Sequence, residues 1–169
     1  MIEPAYVQTM ARYNAWQNAQ LTELLEGQPA EVLTKDRGAF FGSIFATLNH
    51  ILWGDLMWLN RFDDSFDKPG VGPEKHKELT PTFPVWTAER FKTDGKMTAW
   101  AESLRSIDLK GDLEWYSGMT KATLKKPLAA CITHLFNHQT HHRGQVHAMM
   151  TAAGLEAPVS DLAFMPEDT

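Results

Sequence analysis

The sequence predicts an all-α protein, a four-helix bundle with a long crossover between its third and fourth helices. Four stretches of about twenty residues place apolar side chains at steps of three and four, the period of an amphipathic helix. Glycine and proline punctuate the gaps between them. One gap is short and two are long, and the long one before the last helix argues against simple up-down-up-down order.

The first helix is expected over residues 4–26, with Pro4 suited to its first turn and Gly27 to its cap. Val7, Ala11, Asn14, Asn18, Leu21 and Leu25 make its stripe. The two asparagines in mid-stripe either tie neighbouring helices together or stand beside a polar pocket. The second helix, expected over 40–62, is apolar nearly all round, as befits a central element. His50 sits within that surface in line with Ala46, Trp53 and Met57. Gly54, one turn on, removes a side chain beside it and leaves room for another group. Asn49 and Asp55 are candidate partners for the imidazole. Residues 63–81 read as a polar loop, in which His76, between Lys75 and Lys77, is expected to be solvated. The third helix is expected over 84–104, with Trp86, Phe91, Met97, Trp100 and Leu104 apolar and charges covering the rest. Residues 108–126 alternate imperfectly through Leu109, Leu113, Trp115, Tyr116 and Met119, as in a hairpin-like crossover. Pro127 then opens the last helix, over 128–153, and Gly154 closes it. Leu162, Phe164 and Met165 in the tail are available to pack back.

At 169 residues, 43% of them hydrophobic, the chain suits a single domain, 1–169, with a proper core. Its net charge of -5, without a basic run, argues against a nucleic-acid partner. No stretch approaches the ~20 apolar residues of a membrane span. Glu3, Pro4, Gln8 and Arg12 interrupt any N-terminal apolar run, so a cytoplasmic location is expected. The one cysteine, Cys131, rules out a disulfide framework within the chain and reads as a small core residue.

The last helix carries the chemistry. Leu128, Cys131, Leu135, His138, His142, Gln145 and Met149 form one stripe. His138 and His142 therefore stand one turn apart on one face, while His141 points about 100° aside. Two imidazoles at that spacing can share a metal ion, and His50 from the second helix supplies a third. Three neutral imidazoles leave an open coordination position. Such a donor set suits zinc, nickel, iron or copper. A di-iron bundle is excluded, because no histidine has a glutamate three residues before it. The zincin mechanism needs a glutamate after the first histidine, where this chain has Gln139.

The string Asn137-His138-Gln139-Thr140-His141-His142-Arg143-Gly144-Gln145 resembles the signature of the DinB/YfiT family of metal-binding four-helix bundles. The stretches 13–18 and 48–55 match that family's patterns too, as does the tail at Asp161-Leu162. Gln17, where the family commonly has alanine, is a departure that leaves the ligands untouched. The resemblance implies a divalent metal on His50, His138 and His142, and often a homodimer. It also implies thiol S-transfer with a low-molecular-weight thiol, such as bacillithiol or mycothiol, and a small electrophilic substrate. The alternatives are a non-catalytic metal-binding, stress-associated dimer and a metal-dependent hydrolase, for which Asp55 is the one nearby candidate base. Arg143 is expected to bridge helices or to anchor an anionic thiol. Gly144 is expected to permit close packing and His134 to pack in the core or, as the alternative, to stand behind the ligands or at the pocket rim, with His141 and His147 at the surface or an interface.

Overall fold

The computed structural model describes residues 2–118 and 120–167. Pro4 lies in the first turn of α1 (Pro4–Leu25), where a missing amide hydrogen costs nothing. The expected stripe from Val7 to Leu25 is buried, asparagines included. The chain leaves α1 at Gly27, whose φ of +76° is a backbone that glycine enters without a Cβ penalty. A one-turn helix, α2 (Ala30–Thr34), follows, which the sequence pattern did not announce. It seats Leu33 in the core.

The next helix, α3 (Ile44–Phe62), starts four residues later than expected. Ser43 is the reason: its hydroxyl accepts from the Ala46 N–H at 3.2 Å, which satisfies an amide of the first turn. Phe40 and Phe41 therefore sit in a loop ahead of the helix. The connection after α3 carries a 3-10 segment at Pro73–Glu78, and α4 runs over Phe83–Ser103. Two strands, β1 (Asp112–Ser117) and β2 (Ala122–Pro127), pair antiparallel with Trp115 opposite Leu124. This is the expected hairpin; Met119 lies outside the described residues. The final helix, α5 (Leu128–Ala152), ends as expected at Gly154, with φ +73°.

Among the described residues, four helices are long, and they touch in a ring: α1 with α4, α4 with α3, α3 with α5, α5 with α1. Their apolar faces form two clusters. Val7, Leu59, Met97, Leu135 and Phe136 belong to one, and Leu21, Leu25, Leu52, Trp86 and Met150 to the other. Between them, midway along every long helix, runs a buried polar layer.

Arg90 is its hub. It donates to Asp55 Oδ2 at 2.6 Å and pairs with Asp94 at 2.7 Å. Gln139 donates to the other Asp55 oxygen at 2.9 Å, and Asn14 and Asn18 donate to Asp94 at 2.8 and 3.0 Å. Arg143 completes the layer by donating to Asn14 Oδ1. The asparagines thus tie helices together. Arg90 and Asp94 overturn the expectation that the charges of α4 face solvent, whereas Phe91 does face it, at 82% exposure. The tail corrects another expectation. Leu162 and Phe164 remain exposed, and the segment is held instead by Tyr13 and Gln17, which donate to the Ser160 and Val159 carbonyls at 2.5 and 2.7 Å.

Candidate metal centre

Packing of α3 on α5 brings His50, His138 and His142 together. The two histidines of α5 lie a turn apart, with ring centres 4.5 Å from each other. His50 reaches them from α3, its ring 4.6 Å from that of His142. Gly54 makes this approach possible. A Cβ there would fall 2.8 Å from His138 Cε1, so the room that Gly54 leaves is filled by the imidazole of the facing helix.

One ring nitrogen from each histidine lies within 4.8 Å of the other two. His50 Nε2 and His138 Nε2 face each other at 2.9 Å, a gap that accommodates a single proton at most. His142 Nδ1 donates to Gln145 Oε1 at 2.9 Å, which leaves its Nε2 with a bare lone pair. Burial, reinforced by the neighbouring imidazoles, pushes the pKa of His50 and of His138 down to about 3. Burial also lowers His142. All three are therefore neutral at pH 7, the form that ligates a metal. His138 Nδ1 is buried and has no hydrogen-bond partner among the described residues. Three neutral donors with converging nitrogens and one orphaned polar atom fit a metal ion better than they fit a self-satisfied core.

The surroundings correct several expectations. His76 is not solvated: its Nδ1 lies 3.0 Å from His50 Nδ1, and burial lowers its pKa. Phe41 lies over the cluster, its ring 4.0 Å from His50 and 5.2 Å from His142. Phe41, expected on the second helix, reaches the site from the loop ahead of it, and His76 carried no signal because its segment has no periodicity.

The side chains of Asn49 and Asp55 direct their hydrogen bonds elsewhere than to the imidazoles. Asn49 binds Thr80 and the Lys77 carbonyl, and Asp55 is wholly committed to Arg90 and Gln139. His134 is an exposed residue at the rim, its ring 5.1 Å from Trp58 and 5.9 Å from His138. His141 is exposed, His147 half-buried, and Cys131 is buried in the core, as expected. Arg143 points towards α1, away from the cluster, with its guanidinium 5.5 Å over the Tyr13 ring. Burial lowers its pKa to about 10, which keeps it charged at pH 7. Gly144 does not serve close packing, because a Cβ at that position would meet nothing within 4 Å.

A largely helical protein in which two adjacent helices converge three neutral imidazoles is thus defined as a class by its geometry. The chain belongs to the DinB family, whose model matches residues 1–169. It is similar to Protein DinB of Bacillus subtilis (strain 168), at 23% identity over 152 residues, covering 88% of this chain and 87% of that protein. Among the described residues, no helix is long and apolar enough to cross a membrane.

Proposed function

We propose that this chain is a metal-dependent transferase that joins a low-molecular-weight thiol to a small electrophile. The observation that carries the reading is the convergence of His50, His138 and His142, neutral and within 4.8 Å, on a site only partly closed to solvent. These three side chains would hold the divalent ion, zinc or nickel ahead of iron or copper. Bound there, the ion supplies a positive charge that lowers the pKa of a thiol and favours thiolate at neutral pH.

The chain's own groups do the rest. His142 is oriented by Gln145, and the ring of Phe41 shields the His50 and His142 faces from water. Asp55, the candidate base for hydrolysis, is fully buried and bound to Arg90 and Gln139, so it lends the hydrolytic reading no support.

The ring of helix contacts and the family match over the whole chain support reading the fold as a single DinB-type four-helix bundle, with residues 104–127 as its crossover. A cytoplasmic homodimer is the expected state. A second reading is favoured by the position of the triad across α3 and α5: the ion would serve as a clamp between two helices, without catalysis.

Protein loaded with zinc or nickel, given a chromogenic electrophile and a panel of small thiols, separates the two. Turnover with one thiol, lost in His138→Ala, supports the transferase. Tight metal binding that raises the melting temperature without turnover of any thiol would leave the clamp.

A further inference from the structure

The 63–82 connection is fastened to α3 on both sides of His76. Trp53 Nε1 donates to the Val71 carbonyl at 2.9 Å, upstream of it. Downstream, Asn49 Nδ2 donates to the Lys77 carbonyl at 3.1 Å, and Asn49 Oδ1 accepts from the Thr80 N–H at 3.0 Å and its hydroxyl at 2.7 Å. Asn49 is fully buried, so these bonds are made away from competing water. The segment between them has little freedom, and it delivers His76 to the outer edge of His50. There the His76 ring meets Phe41 at 5.2 Å and Trp53 at 5.9 Å. A lysine-flanked histidine would otherwise extend into solvent.

We infer that His76 is a positioning residue for His50: its Nδ1 accepts the proton of His50 Nδ1–H and so fixes the tautomer that leaves His50 Nε2 bare. The two Nδ1 atoms are 3.0 Å apart, and one of them must carry the proton. If His50 carries it, His50 Nε2 has a lone pair facing His138 Nε2 at 2.9 Å, and His138 donates across that gap in the metal-free protein. If His76 carried it, the proton of His50 would sit on Nε2, pointed into the space where the three nitrogens converge. A histidine that binds a metal through one nitrogen commonly donates from the other to an acceptor that holds its ring and tautomer. The acceptor here would be a further imidazole, supplied by a loop. The consequence for metal binding rests on the function proposed above; the hydrogen bond itself does not.

Two variants separate the acceptor from the ring. His76→Phe keeps an aromatic group against Phe41 and Trp53 but cannot accept. In His76→Asn the amide oxygen stands where Nδ1 was. Long-range proton–nitrogen spectra of the metal-free proteins read the tautomers directly. His50 is expected to carry its proton at Nδ1 in the wild type and in His76→Asn, and to become a tautomeric mixture in His76→Phe. Zinc affinity, measured by competition with a chromophoric chelator, is expected to fall about 10–100-fold in His76→Phe and to recover in His76→Asn. A His50 proton resting on Nε2 in the wild type overturns the inference. So does a His50 tautomer that ignores His76→Phe. Wild-type protein that takes up no zinc overturns the metal reading alone, because the metal-free spectra still decide the role of His76.

Discussion

Where α1 and α4 meet the inner sides of α3 and α5, buried charges meet: Arg90 pairs with Asp55 and Asp94, and Arg143 donates to the neutral amide of Asn14. Where the outer sides of α3 and α5 meet, the polar groups are neutral and aimed at one another, and His138 Nδ1 has no partner among the described residues. The two clusters occupy the same height of the molecule. They are also sequence neighbours: Gly54 precedes Asp55, His138 precedes Gln139, and His142 precedes Arg143. One residue along a helix is a rotation of about 100°, enough to send adjacent side chains to different neighbours. The first cluster ties four helices together through ion pairs and amide bonds, although Arg90 Nε, Gln139 Oε1 and Arg143 Nη2 are buried in it without a hydrogen-bond partner among the described residues. The second instead converges neutral nitrogen donors with no opposing charge, which is the condition for holding a cation.

The largest effect is expected from breaking the charged cluster. Arg90→Met removes the ion-pair partner of two buried carboxylates and should cost about 3–5 kcal/mol in urea unfolding. Breaking the other cluster should act on metal instead. Structural metal binding is worth on the order of 10 kcal/mol, so removing one of three ligands costs about 3 kcal/mol, or two decades of affinity. His142→Ala should show that loss by chelator competition, with a far smaller change in metal-free urea stability than Arg90→Met. Equal losses of metal-free stability in the two variants would erase the distinction between the clusters.

Two glycines sharpen the contrast. Gly54→Ala puts a Cβ 2.8 Å from His138 Cε1 and should destabilise by about 1–3 kcal/mol while weakening metal binding. Gly144→Ala meets nothing within 4 Å on the exposed side of α5, and should stabilise by about 1 kcal/mol through helix propensity alone.

Metal-free stability also depends on pH. In the unfolded chain His50 and His138 take up protons near 6.5, whereas in the fold they do so only near 3. The unfolded state therefore binds more protons across that window, so metal-free stability falls as pH drops below 6.5 and rises with pH. His138→Gln should flatten that slope, as followed by urea midpoints at several pH values.

The helices and the ligand pair were legible because both obey a local rule. Val7 to Leu25 repeats at three and four, and His138 and His142 are neighbours on any helix, whatever it packs against. The hairpin was legible from its glycines and alternation. His50 could be singled out as a polar residue on an apolar helix, and Gly54 as a space beside it. What filled that space could not be read, because the filler comes from a helix 84 residues further on.

The sequence by itself determined the helical class, the stripe faces and the three candidate imidazoles, since each follows from the period of a single helix. Only the tertiary structure decided that Arg90 and Asp94 turn inward, that Asp55 serves Arg90 rather than a histidine, and that His76 leaves its lysine neighbours for His50. Those outcomes depend on which groups lie opposite across a helix contact or a fastened loop, and a one-dimensional pattern carries no information about what lies opposite.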